Sequence, residues 1–182
     1  MPQWNETIYL NPAPRPDAPL RLEMAGITHP DPDYRIARRE SPGLYVLEYV
    51  LRGRGHLTYG GEYYAVSAGD VYFLQPGAEM EYHSDRHDPW EKIWFNMRGK
   101  LMESLCEAYR LHGLIHFHDC PLAEDFQNAL GIVRHWDTDA ELAFDLQIHR
   151  ILAKLRDWLT SLYHCINQPI HVLFRSKARR CD

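Results

Sequence analysis

Apolar and polar positions along the chain change period twice. From about residue 20 to 98, short apolar or alternating runs are cut by turn signals every few residues. Tyr45 to Arg52 (YVLEYVLR) is rich in β-branched and aromatic side chains, and Gly53-Arg54-Gly55 follows as a tight turn. His56 to Tyr59 and Glu62 to Val66 flank Gly60-Gly61, a pair suited to a two-residue hairpin. Ser67-Ala68-Gly69-Asp70 turns again before Val71 to Gln75, and Pro76-Gly77 closes that run. Glu79 to Ser84 and Glu91 to Arg98 complete a set of short, evenly punctuated strands. Such a set predicts a sandwich or closed antiparallel barrel.

Residues 99–163 take a helical period. Leu101, Leu105, Cys106, Tyr109 and Leu111 mark a first helix ending near Gly113, and a shorter one is expected from about Leu122 to Val133. Ile148, Ile151, Leu152, Leu155, Trp158, Leu159 and Leu162 recur at three- and four-residue steps and predict a third. This stripe is wide enough to pack on the barrel and offer a seam to a second copy, so these seven residues are the expected dimer interface. Thr138 with Glu141 has the spacing of a capping box at its start. Residues 1–19 are read as an arm: five prolines forbid regular structure, while Trp4, Ile8, Tyr9 and Leu10 could dock on a body or stay loose. Residues 164–182 lose the pattern after Pro169. Arg175, Lys177, Arg179 and Arg180 make a basic tail, read as solvated in preference to a nucleic-acid contact.

The length of 182 residues has room for one barrel and a few helices. A net charge of −5 argues against the whole chain being drawn to nucleic acid. Cys106, Cys120, Cys165 and Cys181 form no CxxC pair, as expected of reduced thiols, and neither a signal peptide nor a membrane-length apolar run occurs. The expected location is therefore the cytoplasm.

The run Gly69 to Gly77, together with the GRG and GG turns before it, supplies the succession of turns that a cupin barrel needs. Metal-binding cupins add an HxH pair and a carboxylate after the GxG turn and a further His after the PxG turn. Here His56 stands alone and Met80 occupies the second position, so no metal or other cofactor is expected in the barrel. His116-Phe117-His118 is an HxH placed between helices and is read as no metal site, and His83 and His87 have no distinctive spacing, so no metal ligands are expected in the chain. Glu79 and Glu81 share one side of a strand, as a solvated edge would also have them. No GxSxG, P-loop or GxGxxG occurs, so no catalytic residues are assigned.

In order along the chain, Ala25-Gly26-Ile27-Thr28, Asp33 to Arg38, Tyr49 to Gly55, Gly69 to Gly77, Tyr82, Pro89-Trp90 and Trp94 to Gly99 give a further clue. Over roughly residues 20–163 the chain resembles the N-terminal effector-binding and dimerisation domain of AraC-family transcription regulators. The resemblance implies a mainly β fold with α: a cupin-like antiparallel barrel (a double-stranded β-helix or jelly roll) over 20–98, then a helical dimerisation region over 99–163. It also implies a sugar or other small effector in the barrel, an arm that closes over it, and a homodimer. Thr28 and Arg38 match effector-contacting positions of sugar-responsive members, and Tyr82 and Trp94 match an aromatic wall. Lys92 falls where those members can carry His.

Judged as residues alone, Arg38 offers a planar fork of donors for vicinal hydroxyls or a carboxylate, and equally suits a rim salt bridge. Trp94 and Tyr82 offer flat faces for a sugar ring, and equally suit a core. Arg38 with Lys92 would favour a sugar acid. The family usually continues into two helix-turn-helix motifs. Nothing after Tyr163 supplies them, so DNA contact is expected only through a domain absent from this sequence. Two rival readings are a metal-dependent cupin isomerase or dioxygenase and a protein-interaction module.

Overall fold

A computed structural model describes residues 5–12, 15–39 and 42–167, with side chains through Ser161. Trp4, the Leu162 side chain and the basic tail lie outside the described residues. The strands are β1 (Glu6–Leu10), β2 (Arg21–Thr28), β3 (Arg35–Arg38), β4 (Tyr45–Arg52), β5 (Arg54–Tyr59), β6 (Glu62–Ser67), β7 (Val71–Leu74), β8 (Met80–Ser84), β9 (Glu91–Arg98) and β10 (His116–Phe117). The helices are α1 (Lys100–Tyr109), α2 (Ala123–Arg134) and α3 (Ala140–Asn167). A six-stranded antiparallel sheet runs β1-β2-β9-β4-β7-β10, and a four-stranded one runs β3-β8-β5-β6. The fold is thus mainly β with α, and the chain passes repeatedly between the two sheets. Gly60 and Gly61, both with positive φ, close the β5–β6 hairpin, a conformation that side chains disfavour.

The six-stranded sheet is buried on both faces, so its central strands carry two apolar rows. Tyr45, Leu47 and Tyr49 of β4, Phe73 of β7, and Ile93, Phe95 and Met97 of β9 belong to a core shared with the helices. The alternating positions Val46, Val50, Tyr72 and Leu74 face a second core between the sheets, with Leu57, Met80, Tyr82 and Trp90. Phe126 of α2 packs 5.1 Å from Tyr49 and 5.9 Å from Phe95, and Phe144 of α3 sits 5.6 Å from Phe95, centroid to centroid. Asp125 of α2, itself buried, clamps α3 through Arg150 Nε at 2.9 Å and Lys154 Nζ at 2.6 Å. Among the described residues no helix is long and apolar enough to cross a membrane.

Four local expectations need correction. Glu6–Leu10 lies in the arm read as barred from regular structure, yet it pairs with β2 as an edge strand, because the prolines flank the segment and none interrupts it. The apolar stripe on α3 is intramolecular: Ile148, Ile151, Leu152 and Leu155 are fully buried, leaving a second chain nothing to touch. Trp158 and Leu159 are half-buried against the same core. A three-residue-wide stripe is spent on covering the sheet and α2, and the outward face instead shows Leu142 and Leu146, 64% and 60% exposed. The entry to α3 is not the expected box. Glu141 pairs with Arg15 at 2.8 Å, and an Asp137 side-chain oxygen accepts from the Asp139 amide. Lastly, His116-Phe117 is no mere connection, since it adds a strand beside β7.

Burial and the neighbouring Glu141 push the Asp145 carboxyl on α3 up to about 6, with Arg15 opposing. Because the folded chain holds this proton more tightly than the unfolded chain, stability falls as pH rises from about 4 through about 6. Asp145→Asn should therefore raise the melting temperature at pH 7 by about 2–4 °C, equivalent to about 1 kcal/mol after solvent screening, and change little at pH 4. Equal melting temperatures of variant and parent at pH 7 would refute this.

Candidate functional site

Between the sheets, a cavity of about 210 Å³ opens under β1. Its floor follows from register. On β4 and β9 the inward positions include Glu48, Trp94 and Asn96, with Glu48 opposite Trp94 and Val46 opposite Asn96. Tyr82 of β8 and Tyr34, Ile36 and Arg38 around β3 supply the opposite wall, while Met24 of β2 and Glu6 and Ile8 of β1 close the side.

Trp94 lies flat against β2 because Gly26 has no side chain. A Cβ there would stand 2.5 Å from Trp94 Cζ2 and 2.5 Å from the Thr7 carbonyl oxygen. The same glycine thus admits both the indole and the neighbouring strand β1. The Trp94 indole N–H is buried and has no hydrogen-bond partner. Such a donor is costly unless something accepts from it. Trp94 also lines the cavity, to which its ring supplies an apolar face.

β1 is held over the cavity by a carboxylate. Glu6 Oε1 accepts from Thr28 Oγ1 at 2.8 Å and from the Tyr34 hydroxyl at 3.0 Å. On its other face, Tyr9 accepts from Arg134 Nε of α2 at 3.0 Å through its hydroxyl, with the guanidinium 5.5 Å from the ring.

Behind the cavity wall lies a fully buried ion pair. The Lys92 ammonium is 0% exposed and donates to Glu48 Oε2, which also accepts from the Tyr72 hydroxyl at 2.5 Å. Lys92 Nζ reaches the same hydroxyl at 2.8 Å. Four rings surround the cation: Tyr82 at 4.4 Å, Trp90 at 5.0 Å, Tyr34 at 5.1 Å and Tyr72 at 5.5 Å from their centroids. Burial pulls the Lys92 pKa down and Glu48 opposes it. Burial, with Glu48 beside them, holds Tyr72 and Tyr82 well above the ordinary phenol range, so both stay protonated donors.

Of the five residues picked from sequence, Arg38, Tyr82 and Trp94 come together in the cavity lining. Thr28 and Lys92 do not line it; each instead holds a residue that does, Glu6 and Glu48 respectively. The sequence reading passed over Glu6, Tyr34, Glu48 and Asn96. A signal for two of them was present: Glu48 and Asn96 are lone polar residues within apolar strands, YVLEYVLR and KIWFNMR. His56 turns away from the cavity, to the outer face of the four-stranded sheet, with its ring 5.1 Å from His83 and 5.4 Å from Tyr63. Among the described residues, the histidine–carboxylate set within metal-ligating reach is Asp70, His116 and His118, outside the cavity.

Two sheets of cupin type around a small, polar-floored cavity, with helices on one outer face, define a ligand-binding domain. The chain belongs to the AraC-like ligand binding domain family, whose model matches residues 21–155. It is 42% identical over 55 residues to the lactose operon transcription activator of Staphylococcus xylosus, covering 30% of this chain and 20% of that protein. To the Msm operon regulatory protein of Streptococcus mutans it is 25% identical over 115 residues, covering 61% of this chain and 41% of that one. The chain thus spans well under half the length of these transcription regulators. Apo ToxT from Vibrio cholerae shares the fold, with a TM-score of 0.54 at 13% identity over 77% of this chain and 56% of that one.

Removing Lys92 tests how much the site depends on the ion pair. Lys92→Met strands a buried carboxylate and should cost about 3–5 kcal/mol in urea unfolding. Adding Glu48→Gln should recover most of that loss. A single variant as stable as the parent would mean that the pair is dispensable.

Proposed function

We propose that this domain senses a neutral, monosaccharide-sized polyol and reports it within a transcription regulator, without chemical conversion. The observation that carries this reading is the grouping of Arg38, Glu48, Asn96 and the Trp94 ring in one cavity. Sugar hydroxyls both donate and accept, and this floor offers both roles: Glu48 accepts, Arg38 donates, and Asn96 does either. The Trp94 and Tyr82 rings suit the C–H face of a pyranose. At about 210 Å³ the cavity lies below the roughly 300–1,000 Å³ of drug-sized sites, which favours a single sugar ring over an oligosaccharide.

A sugar acid is the weaker reading. Arg38 and Lys92 together would favour an anion, but Glu48 already neutralises Lys92 behind the wall. Glu6 then offsets Arg38 in the lining, leaving no net positive charge there. The name of one relative, a lactose operon activator, agrees with a carbohydrate signal.

In this reading β1 is the responsive element. It is an edge strand tied down by Glu6 over the cavity mouth, so a ligand that contacts it differently when docked and undocked shifts its position. The domain acts in the cytoplasm as a homodimer, and DNA is read by a separate helix-turn-helix domain. The dimer uses the outward face of α3, where Leu142 and Leu146 stand one turn apart.

Calorimetry against a panel of neutral monosaccharides and uronates tests the sensor. A neutral sugar should bind and shift Trp94 emission, and Arg38→Ala should weaken binding by about tenfold or more, since it removes a charged donor. A panel without any binder, or equal affinity in Arg38→Ala, would defeat the assignment. For the dimer, Leu142→Glu with Leu146→Glu should give a monomer by light scattering with unchanged circular dichroism. A persistent dimer would move the interface elsewhere.

A further inference from the structure

We propose that Asp70, His116 and His118 form a site for one divalent transition-metal ion on the rim of the sandwich, where the β6–β7 turn meets β10. β10 pairs antiparallel with β7, placing His116 opposite Tyr72 and bringing the HxH run beside a turn 46 residues earlier. His116 Nε2 stands 2.9 Å from Asp70 Oδ2, and His118 Nδ1 stands 3.6 Å from the same oxygen. The two imidazole centroids are 4.0 Å apart.

Hydrogen bonding alone does not account for this arrangement. Asp70 is 2% exposed, and its Oδ2 already accepts the Ser67 amide at 3.0 Å as well as His116. A second imidazole aimed at that oxygen from beyond hydrogen-bond reach adds nothing as a donor. As a ligand set the geometry is apt. Metal–donor bonds of about 2.0–2.2 Å at tetrahedral angles put neighbouring donor atoms about 3.4 Å apart, a value the two observed separations bracket.

The supporting shell is in place too. Asp70 Oδ1 accepts the Asp119 amide at 3.0 Å, which fixes the carboxylate plane. The His116 side chain is nearly buried, while that of His118 is 72% exposed. The ion can thus enter from the His118 side and keep water in its remaining positions. Two imidazoles and one carboxylate select a borderline ion such as Zn²⁺, Co²⁺ or Ni²⁺ over Mg²⁺ or Ca²⁺.

The site is separate from the cavity and does not depend on the effector reading. It does touch the helical layer: the His118 carbonyl accepts from Trp158 Nε1 of α3 at 2.9 Å. An ion that fixes His118 therefore also steadies that end of α3.

The test is calorimetric titration of the 182-residue chain with Zn²⁺, paired with visible absorption after adding Co²⁺. The expected result is one equivalent bound, with Co²⁺ d–d bands of a low-coordinate nitrogen–oxygen site. His118→Ala, which removes an exposed ring and leaves the fold intact by circular dichroism, should weaken binding by more than about a hundredfold, beyond the loss typical of a supporting residue. The chain holds eleven histidines, so His135→Ala at the C-terminal end of α2 is the control and should bind as the parent does. Failure to bind one equivalent, absence of the Co²⁺ bands, or unchanged affinity in His118→Ala would each overturn the proposal.

Discussion

The interior of the sandwich depends on one buried ion pair, Lys92 with Glu48. A lysine taken wholly out of water is expensive to keep charged. Here the cost is offset by the Glu48 carboxylate, the Tyr72 hydroxyl and four aromatic faces turned toward the ammonium. Those partners come from β4, β7, β8 and the segments before β3 and β9, so the pair links both sheets. It also sets the character of the cavity. Glu48 lines the cavity while Lys92 holds it from behind, so the floor presents an oriented acceptor whose charge is already balanced.

The two central strands join this interior to the helical layer. Along β9, Lys92, Trp94 and Asn96 face the space between the sheets, while Ile93, Phe95 and Met97 face the helices. Trp94 touches the cavity, and the next residue, Phe95, packs on Phe126 of α2 and Phe144 of α3. Close-packed interiors do not deform smoothly, and a small shift on one face of a strand is felt on the other. Strand β1 has the same two-sided construction. Glu6 and Ile8 face the cavity, whereas Tyr9 meets Arg134 on α2.

Much of this was legible in the residues. The turns at Gly53–Gly55, Gly60-Gly61 and Gly69-Asp70 placed six of the strands to within a residue or two, because turn chemistry and period-two burial are local properties. The three helices followed from their apolar spacing for the same reason. Long-range pairing was hidden. Nothing in residues 6–10 says that they add an edge to β2, and a two-residue strand such as His116-Phe117 has no period to detect. The direction of the α3 stripe was misjudged because periodicity reveals an apolar face without saying which surface covers it. For the cavity, aromatic and cationic side chains were visible as candidates. Their grouping depended on register, which brings Glu48 opposite Trp94 and sends Lys92 two pairs further along.

Register also explains why the ligand preference suggested by composition differs from the one suggested by geometry. Two basic residues near a binding site read as affinity for an anion. That inference assumes that both charges face the ligand. In the fold only Arg38 does, from the end of β3, while Lys92 lies opposite Val50, two residues along from the Glu48–Trp94 pair. At such close range, and with water excluded, the Lys92 charge is spent on Glu48 rather than on the cavity. What remains at the surface of the cavity is one guanidinium, two carboxylates of which one also fastens β1 and the other is balanced by Lys92, an amide and the Trp94 ring. An incoming carboxylate would meet the Arg38 guanidinium and the Glu6 carboxylate with no net attraction, whereas a hydroxyl can donate to Glu48 and accept from Arg38 at once. The balance of donors and acceptors, rather than net positive charge, is therefore what this cavity selects for.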